Sequence, residues 1–221
     1  MPVNKEAYQL LKKELDEKQV TLVAVSKTKP AEEILELYNL GHRDFGENYV
    51  QELAEKASKS PNDIRWHYIG HLQTNKVKLI APFVQLIHGV DSLKLLEEIN
   101  KQAGKCGRIQ DCLLQVHIAQ EETKFGLDET ELDNLMSRYR DKQMNNVRIC
   151  GLMGMASFTD NMTIVMSEFR KLKKIFDQLK TNDSRLTTLS MGMSSDYKIA
   201  IEEGSNMVRI GSLLFGERTS S

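Results

Sequence analysis

Short apolar runs alternate along the chain with longer stretches in which apolar residues recur at helical spacing. Runs rich in branched and aromatic residues predict strands, whereas recurrence every three to four residues predicts amphipathic helices. The strand-like runs lie at 21–26, 42–45, 64–70, 85–89, 112–118, 147–153, 187–190 and 206–210. The pattern therefore predicts about eight strand–helix units in succession.

The helical spacing is clearest in three of the intervening stretches. These are 31–40, 92–104 and 166–179. The second begins at Ser92, a residue type that caps helix N-termini, and reaches Gly104, which we expect to end it. Residues 4–18 predict one additional helix before the first strand.

Repeated strand–helix units indicate a parallel sheet covered by helices, as either a closed barrel or an open doubly wound sheet. A count of eight strands favours the barrel. The first strand also runs into SKTKP rather than the glycine-rich turn typical of a dinucleotide-binding fold. We therefore predict a single α/β domain over 1–221, a (β/α)8 TIM-type barrel with an N-terminal helix within 1–19 and a short tail at 217–221. Functional residues should lie at the C-terminal ends of its strands.

The composition changes this picture little. The chain has 221 residues, of which 40% are hydrophobic and 28% charged, and its formal net charge is -1. This balance gives no electrostatic reason to expect binding to nucleic acid or to an anionic membrane. Cys106, Cys112 and Cys150 match no zinc or redox spacing. No apolar run approaches the ~18 residues of a membrane span, and the N-terminus lacks the apolar core of a signal peptide, so we expect a cytoplasmic protein with reduced thiols.

Lys27 is the first candidate for chemistry. It follows a nearly all-apolar strand, so we expect its amine to lie beside a packed interior. Partial desolvation favours the neutral amine, which attacks aldehydes. The alternative is a solvent-facing lysine at a strand end. Lys29 should be exposed in the following loop.

The segment 190–204 is the second candidate. A strand ends, a glycine turn follows, and Ser194 and Ser195 precede an amphipathic stretch. Unpaired N–H groups at a helix start, together with a serine hydroxyl, can bind an anion. Simple capping of the helix by either serine is the alternative.

The segment 208–216 is the third candidate. Arg209 lies at the end of the last strand, and Gly211 would let the backbone approach a ligand closely. Barrels often bind phosphate with the loops after their seventh and eighth strands. Closure of the barrel places the last strand beside the first, so we expect Lys27, Arg209 and the glycine turns to share one opening.

Two further motifs follow the second and third strands. FGENYVQE offers Glu47 and Asn48 at the same rim, although it could equally be a helix start with acidic residues in its first turn. WHYIGHLQTNK contains His67 and His71, which straddle a strand end and a glycine with no acidic residue between them. We therefore expect no metal site there, and the sequence leaves the roles of both histidines open.

Six motifs, in this order, resemble the pyridoxal phosphate homeostasis protein family. They are AVSKTKP, FGENYVQE, WHYIGHLQTNK, GLMGMAS, LSMGMSSDYKIAIEEGS and VRIGSLLFG. The resemblance extends from about residue 20 to residue 217, nearly the whole chain. Several of the motifs are long and specific, so a chance match is not a reasonable explanation.

The resemblance implies a barrel similar to the N-terminal domain of alanine racemase, which is fold type III among proteins that use pyridoxal 5′-phosphate (PLP). It implies that Lys27 holds PLP as an internal aldimine. Arg209 would face the pyridine nitrogen, and Asn48 would lie near the cofactor ring. Ser194 and the backbone of Ile210 and Gly211 would hold the phosphate.

The resemblance also implies a function without catalytic residues or a metal. Members of this family bind PLP in intracellular PLP homeostasis, without established turnover, and are thought to buffer or deliver the cofactor. The resemblance leaves open whether PLP-dependent apo-enzymes are partners. No exposed apolar stripe demands a dimer, so we expect a monomer.

Two other functions stay open from the sequence. A PLP-dependent racemase-like enzyme is the main alternative, and an aldolase that forms a Schiff base without PLP is the second. A neighbouring arginine disfavours protonation of the pyridine nitrogen, which makes the ring a weaker electron sink. Only 217–221 follow the last motif, too few residues for the second domain of a racemase.

Overall fold

The computed structural model of the chain describes residues 3–121, 125–142 and 144–216. Its strands form a closed barrel in which each strand pairs with its neighbours in sequence order. They are β1 Thr21–Val25, β2 Asp44–Glu47, β3 Arg65–Tyr68, β4 Leu86–Val90, β5 Gln110–Gln115, β6 Val147–Met153, β7 Thr188–Ser190 and β8 Met207–Ile210. The barrel prediction is confirmed, with each strand near its predicted place; the predicted tail at 217–221 lies outside the described residues.

Helices surround the barrel. They are α1 Lys5–Glu17, α2 Ala31–Asn39, α3 Val50–Lys59, α4 Val77–Ile80, α5 Leu93–Lys105, α6 Glu129–Asp141, α7 Met162–Asn182, α8 Tyr197–Glu202 and α9 Ser212–Phe215, with a 3-10 turn at Thr74–Lys76. The additional N-terminal helix is confirmed as α1, which is tied to α9 by a bond from the backbone N–H of Asn4 to the carbonyl of Leu214. In the described part of the chain, none of the helices has both the length and the apolar character that crossing a membrane requires.

Two predicted boundaries are wrong for identifiable reasons. β2 does not begin at residue 42, because the backbone N–H of His42 donates to the carbonyl of Leu37 and completes the turn that ends α2. The strand instead continues through Glu47. Gly104 does not end α5, which continues to Lys105; the left-handed residue after the helix is Gly107, with φ of +62°.

The strands separate two packed layers. Their outward side chains join the helices in the main apolar core. A smaller apolar cluster fills the barrel interior and comprises Val23, Leu86, Leu113, Met153 and Met207. Alternation along β8 shows the rule, since Val208 and Ile210 belong to the outer core while Met207 belongs to the inner cluster. Arg209 therefore points into the barrel.

Closure of the barrel places the first and last strands side by side. Val23 pairs with Arg209, and Ala24 pairs with Ile210. A Cβ atom on Gly211 would lie 3.2 Å from the carbonyl oxygen of Val25, so the two strand ends nearly touch. The loops after β1 and β8 consequently open on the same side.

Candidate functional site

A pocket of about 570 Å³ lies at the C-terminal ends of the strands. Its lining includes Lys27, Asn48, Ser194, Arg209 and Gly211. The structure thus brings these predicted binding residues to one opening. The remaining predicted residue, Ile210, does not line the pocket, and its side chain is fully buried in the outer core.

Lys27 follows β1 at the pocket wall and is half-buried. Ser26, the residue before Lys27, is hydrogen-bonded to a buried pair of charged side chains. The Nζ of Lys56 donates to the carbonyl oxygen of Ser26 and to Oε1 of Glu47, each over 2.7 Å. The hydroxyl of Ser26 donates to the same Glu47 oxygen over 2.6 Å. The backbone that presents Lys27 is therefore fixed from the side of α3.

The residues after Lys27 are held as well. The backbone N–H of Thr28, whose φ is +64°, donates to Oε1 of Glu52 over 2.6 Å. The Nζ of Lys29 donates to the carbonyl oxygen of Phe215 in α9 over 2.6 Å. Lys29 is half-buried and lines the pocket, so the prediction that it is exposed is wrong. Its ammonium group instead ties the loop after β1 to the last helix.

Glu47 and Asn48, the two candidates in the FGENYVQE motif, lie in different surroundings. Glu47 was expected at the rim but is fully buried in β2, facing Lys56. Burial raises the pKa of Glu47 despite its contact with this cation. Asn48 does reach the pocket, and its carbonyl oxygen accepts from the hydroxyl of Tyr68 over 3.0 Å. Burial also raises the pKa of Tyr68 to about 12, so that hydroxyl stays protonated.

The loops after β7 and β8 form a polar cradle. The hydroxyl oxygen of Ser194 accepts from the backbone N–H of Gly211 over 3.3 Å. Neither serine caps α8, since its N-cap is Asp196. The Oδ1 atom of Asp196 instead accepts from the backbone N–H of Met193 over 2.6 Å and closes the turn. Polar residues of both loops, Ser194, Ser195 and Ser212, therefore line the same pocket as Lys27.

The turn after β7 depends on a glycine. Gly192 has φ of +99°, a region that side chains rarely adopt. A Cβ atom there would lie 2.6 Å from the Cβ of Ala200 in α8. Only glycine lets the strand reverse this close to the helix, which sets the position of Ser194.

Arg209 supplies a buried cation at the pocket floor. Its Nη1 donates to the carbonyl oxygen and the hydroxyl of Ser190 over 3.0 and 2.6 Å, and its Nη2 donates to the carbonyl oxygen of Gly154 over 3.1 Å. Burial lowers the pKa of Arg209 to about 10, which leaves it charged at neutral pH. With Lys27 and Lys29, it makes the pocket suited to an anionic ligand.

The two histidines of the third motif lie in different surroundings. The Nδ1 of His67 lies 2.9 Å from Nε2 of His88 inside the barrel. His71 lies at the rim, where its Nδ1 contacts Asp91 over 3.0 Å and its ring stacks on Phe125. Among the described residues, no group of three or more His, Cys, Asp or Glu side chains is arranged to hold a metal ion. His88 and Ser190 were missed from the sequence, where the one available signal was a polar residue within an apolar strand.

Comparison with known proteins identifies the relatives of this chain. A model of the alanine racemase N-terminal domain family matches residues 5–219. The pyridoxal phosphate homeostasis protein of Aquifex aeolicus is 44% identical over 199 residues, which cover 89% of this chain and 86% of that protein. The human protein of the same name is 41% identical over 217 residues, covering 92% and 78%.

Solved structures agree with this relationship. PipY of Synechococcus elongatus, with PLP bound, has 37% identity and a TM-score of 0.82, covering 90% of this chain and 93% of that one. Alanine racemase from Bartonella henselae, at 15% identity and a TM-score of 0.68, shares the fold over 99% of this chain and 62% of its own length. The chain therefore belongs to the alanine racemase N-terminal domain family and, within it, to the pyridoxal phosphate homeostasis proteins.

Proposed function

We propose that this chain is a single-domain protein that binds PLP through Lys27 and takes part in PLP homeostasis rather than in rapid turnover. The observation that carries the proposal is the convergence of Lys27, Arg209 and the Ser194–Gly211 cradle on one pocket. The names of the relatives and the PLP bound to PipY support the choice of ligand.

The pocket suits the three chemical parts of PLP. Its volume of about 570 Å³ lies within the usual range for small-ligand sites. Among the described residues, the backbone N–H groups of Ser195 and Ser212 have no acceptor, which makes them suitable donors to a phosphate. The absence of a side chain at Gly211 keeps the cradle open against β1.

Each residue then has a distinct task. The amine of Lys27 would hold PLP through its aldehyde carbon, and Ser194 with the backbone of Ile210 and Gly211 would bind the phosphate. Asn48 would lie near the ring, and Arg209 would face the ring nitrogen. When bound, PLP supplies an electron sink for carbanion chemistry. The cationic guanidinium of Arg209 disfavours a proton on that nitrogen and so restrains this sink.

The remaining residues that line the pocket support retention of PLP rather than catalytic turnover. Of the described residues that line the pocket, only Lys27, Lys29 and Arg209 carry titratable side chains. Lys29 is already bound to the carbonyl of Phe215. Racemisation needs a second acid–base group opposite the attached lysine, whereas the rest of the described lining consists of apolar residues such as Ile69 and Met155 and of neutral polar residues such as Asn48.

Borohydride reduction followed by peptide mass spectrometry tests the proposal. A pyridoxyl adduct should form on Lys27 and be lost in Lys27→Ala, which stays folded because the residue is only half-buried. Lys29→Ala, in the same pocket, is the matched control and should keep the adduct. An adduct on another lysine would contradict the assignment. Exchange of the α-proton of amino acids at ~1 per second or faster would contradict a homeostasis role.

We also propose that the protein is a cytoplasmic monomer. It would deliver PLP to PLP-dependent apo-enzymes. The open mouth supports it, since Phe158 is 94% exposed at its edge. Loaded protein should reactivate an apo-transaminase in the presence of a scavenger of unbound PLP. Sedimentation should give the mass of one chain. Reactivation no faster than with the same amount of unbound PLP would contradict delivery.

A further inference from the structure

A continuous series of hydrogen bonds crosses the barrel interior, from the end opposite the pocket to the pocket floor. The Nε2 of His67 lies 3.1 Å from Oδ1 of Asp44, and its Nδ1 lies 2.9 Å from Nε2 of His88. The Nδ1 of His88 lies 3.2 Å from the hydroxyl of Ser190, which accepts from Nη1 of Arg209 over 2.6 Å. Five side chains from five strands thus form one series.

The carboxylate at the far end fixes the direction of these bonds. Burial alone would raise the pKa of Asp44, but hydrogen bonds from Arg65 and His67 outweigh burial and hold the pKa well below its usual range. Arg65 donates from both Nε and Nη2 to the two oxygens of Asp44. Asp44 therefore only accepts, which places a ring proton of His67 on Nε2.

The position of the proton on His67 also determines the direction of the next two hydrogen bonds. With its proton on Nε2, His67 accepts at Nδ1 from the Nε2–H of His88. Burial lowers the pKa of His88 well below its usual value, so with its proton on Nε2 its Nδ1 is bare and accepts from the hydroxyl of Ser190. Every donor then points from Arg209 towards Asp44.

If these hydrogen bonds ran in the opposite direction, fewer of the buried polar groups would have a partner. If His67 were a cation donating to His88, the oxygen of Ser190 would accept from both His88 and Arg209. Its own hydrogen would then need another acceptor, and the described residues offer it none beyond these contacts. A buried donor without a partner costs about 1–3 kcal/mol.

We propose that His88 and Ser190 are positioning residues that hold the guanidinium of Arg209 against the ring nitrogen of the ligand, an inference that rests on the proposed function. Within the described residues, the hydrogen bonds of Arg209 go to neutral oxygens and none goes to a carboxylate. Aligned hydrogen bonds polarise one another in a low-dielectric interior. The series thus links the carboxylate of Asp44 to a buried cation whose own hydrogen bonds go to neutral oxygens.

Nitrogen NMR of the PLP-free protein tests the series directly. The chain has five histidines, so single variants suffice for assignment. His67 and His88 should each carry the ring proton on Nε2, with Nδ1 unprotonated. A proton on Nδ1 of either ring would overturn the proposal.

Variants of the loaded protein test the effect on Arg209. Ser190→Ala and His88→Phe should shift the visible absorption band of bound PLP and speed its loss on dialysis by about tenfold, as expected for one lost buried hydrogen bond. Ser190→Thr keeps the hydroxyl and should restore both properties. His42→Phe is the control, because His42 is also buried, but within the described residues its ring nitrogens bond only to the backbone carbonyl of Asp44, and its ring packs on Phe45 of the outer core.

The outcomes separate this inference from the proposed function. A Lys27 adduct with an unchanged absorption band in both Ser190→Ala and His88→Phe would overturn the positioning role alone. A missing adduct in the unaltered protein would overturn both. Equal band shifts in His42→Phe and His88→Phe would reveal a general packing effect and also overturn the positioning role. If His88→Phe does not fold, Ser190→Ala and its threonine rescue still decide.

Discussion

The ammonium group of Lys56 donates over 2.7 Å to the carbonyl oxygen of Ser26, the residue directly before Lys27. Lys56 is 7% exposed and lies on α3, one unit further along the barrel. It also contacts Glu47 and Glu52, and Glu52 accepts from the backbone of Thr28. One buried cation thus links the backbone on both sides of Lys27.

Lys56→Met should therefore destabilise the fold and impair PLP attachment together. Removing one partner of a buried ion pair costs about 3–5 kcal/mol, because Glu47 stays buried without its cation. Urea unfolding measures the first effect, and the rate of borohydride-trappable PLP binding measures the second. Lys59→Met is the matched control, since Lys59 lies on the same helix in an exposed pair with Glu55. Similar losses in both variants would contradict this role of Lys56.

Ser194→Ala should weaken retention of the phosphate without affecting attachment at Lys27. The variant removes the oxygen that accepts from Gly211 and one hydroxyl donor to the ligand. Loss of PLP on dialysis should be about tenfold or more faster, as for a single hydrogen bond to a charged group. Ser58→Ala, on the exposed side of α3, should behave as the unaltered protein. Unchanged retention in Ser194→Ala would place the phosphate elsewhere.

Gly192→Ala should cost more stability than Gly41→Ala. Both glycines have positive φ, +99° and +92°, so each alanine adds a similar backbone strain of about 1–2 kcal/mol. A Cβ on Gly41 meets nothing within 4 Å, whereas one on Gly192 would clash with Ala200. The difference in free energy of unfolding between the two variants therefore measures the clash. Equal values would show that the turn after β7 can relax.

Acid should destabilise the protein partly through His42. Burial lowers the pKa of His42 to about 4 from 6.5, so between these values the unfolded chain takes up a proton that the folded chain does not. Stability from this residue is intact above pH 6.5 and falls as the pH falls towards 4. Between about pH 7.5 and about pH 5 the loss should be about 2 kcal/mol. His42→Phe should reduce the pH dependence of urea unfolding by this amount, and an unchanged dependence would count against it.

The barrel itself could be predicted because its signal is local. Each apolar run and each helical repeat is visible within about ten residues, and eight repetitions leave few architectures. Convergence of Lys27 with Arg209 followed from a general rule, that closure places the last strand beside the first. Neither step required knowledge of side-chain contacts.

The contacts that refine the site could not be predicted, because they depend on register and on distant pairs. Glu47 and Asn48 are adjacent, and a small error in the bounds of β2 decides which of them faces the pocket. Lys29 meets Phe215 across 186 positions of sequence. His88 and Ser190 come from β4 and β7 and meet only inside the closed barrel.

The pairing of β1 with β8 also has a consequence for biosynthesis. The amine of Lys27 emerges from the ribosome early, but Arg209 and Gly211 follow only at the opposite end of the translated strands. A nascent chain carries the amine of Lys27 without the Ser194–Gly211 cradle or the guanidinium of Arg209. If Lys27 holds PLP as proposed, stable loading therefore awaits translation of the eighth strand, and an aldehyde captured before then would be bound by the lysine alone.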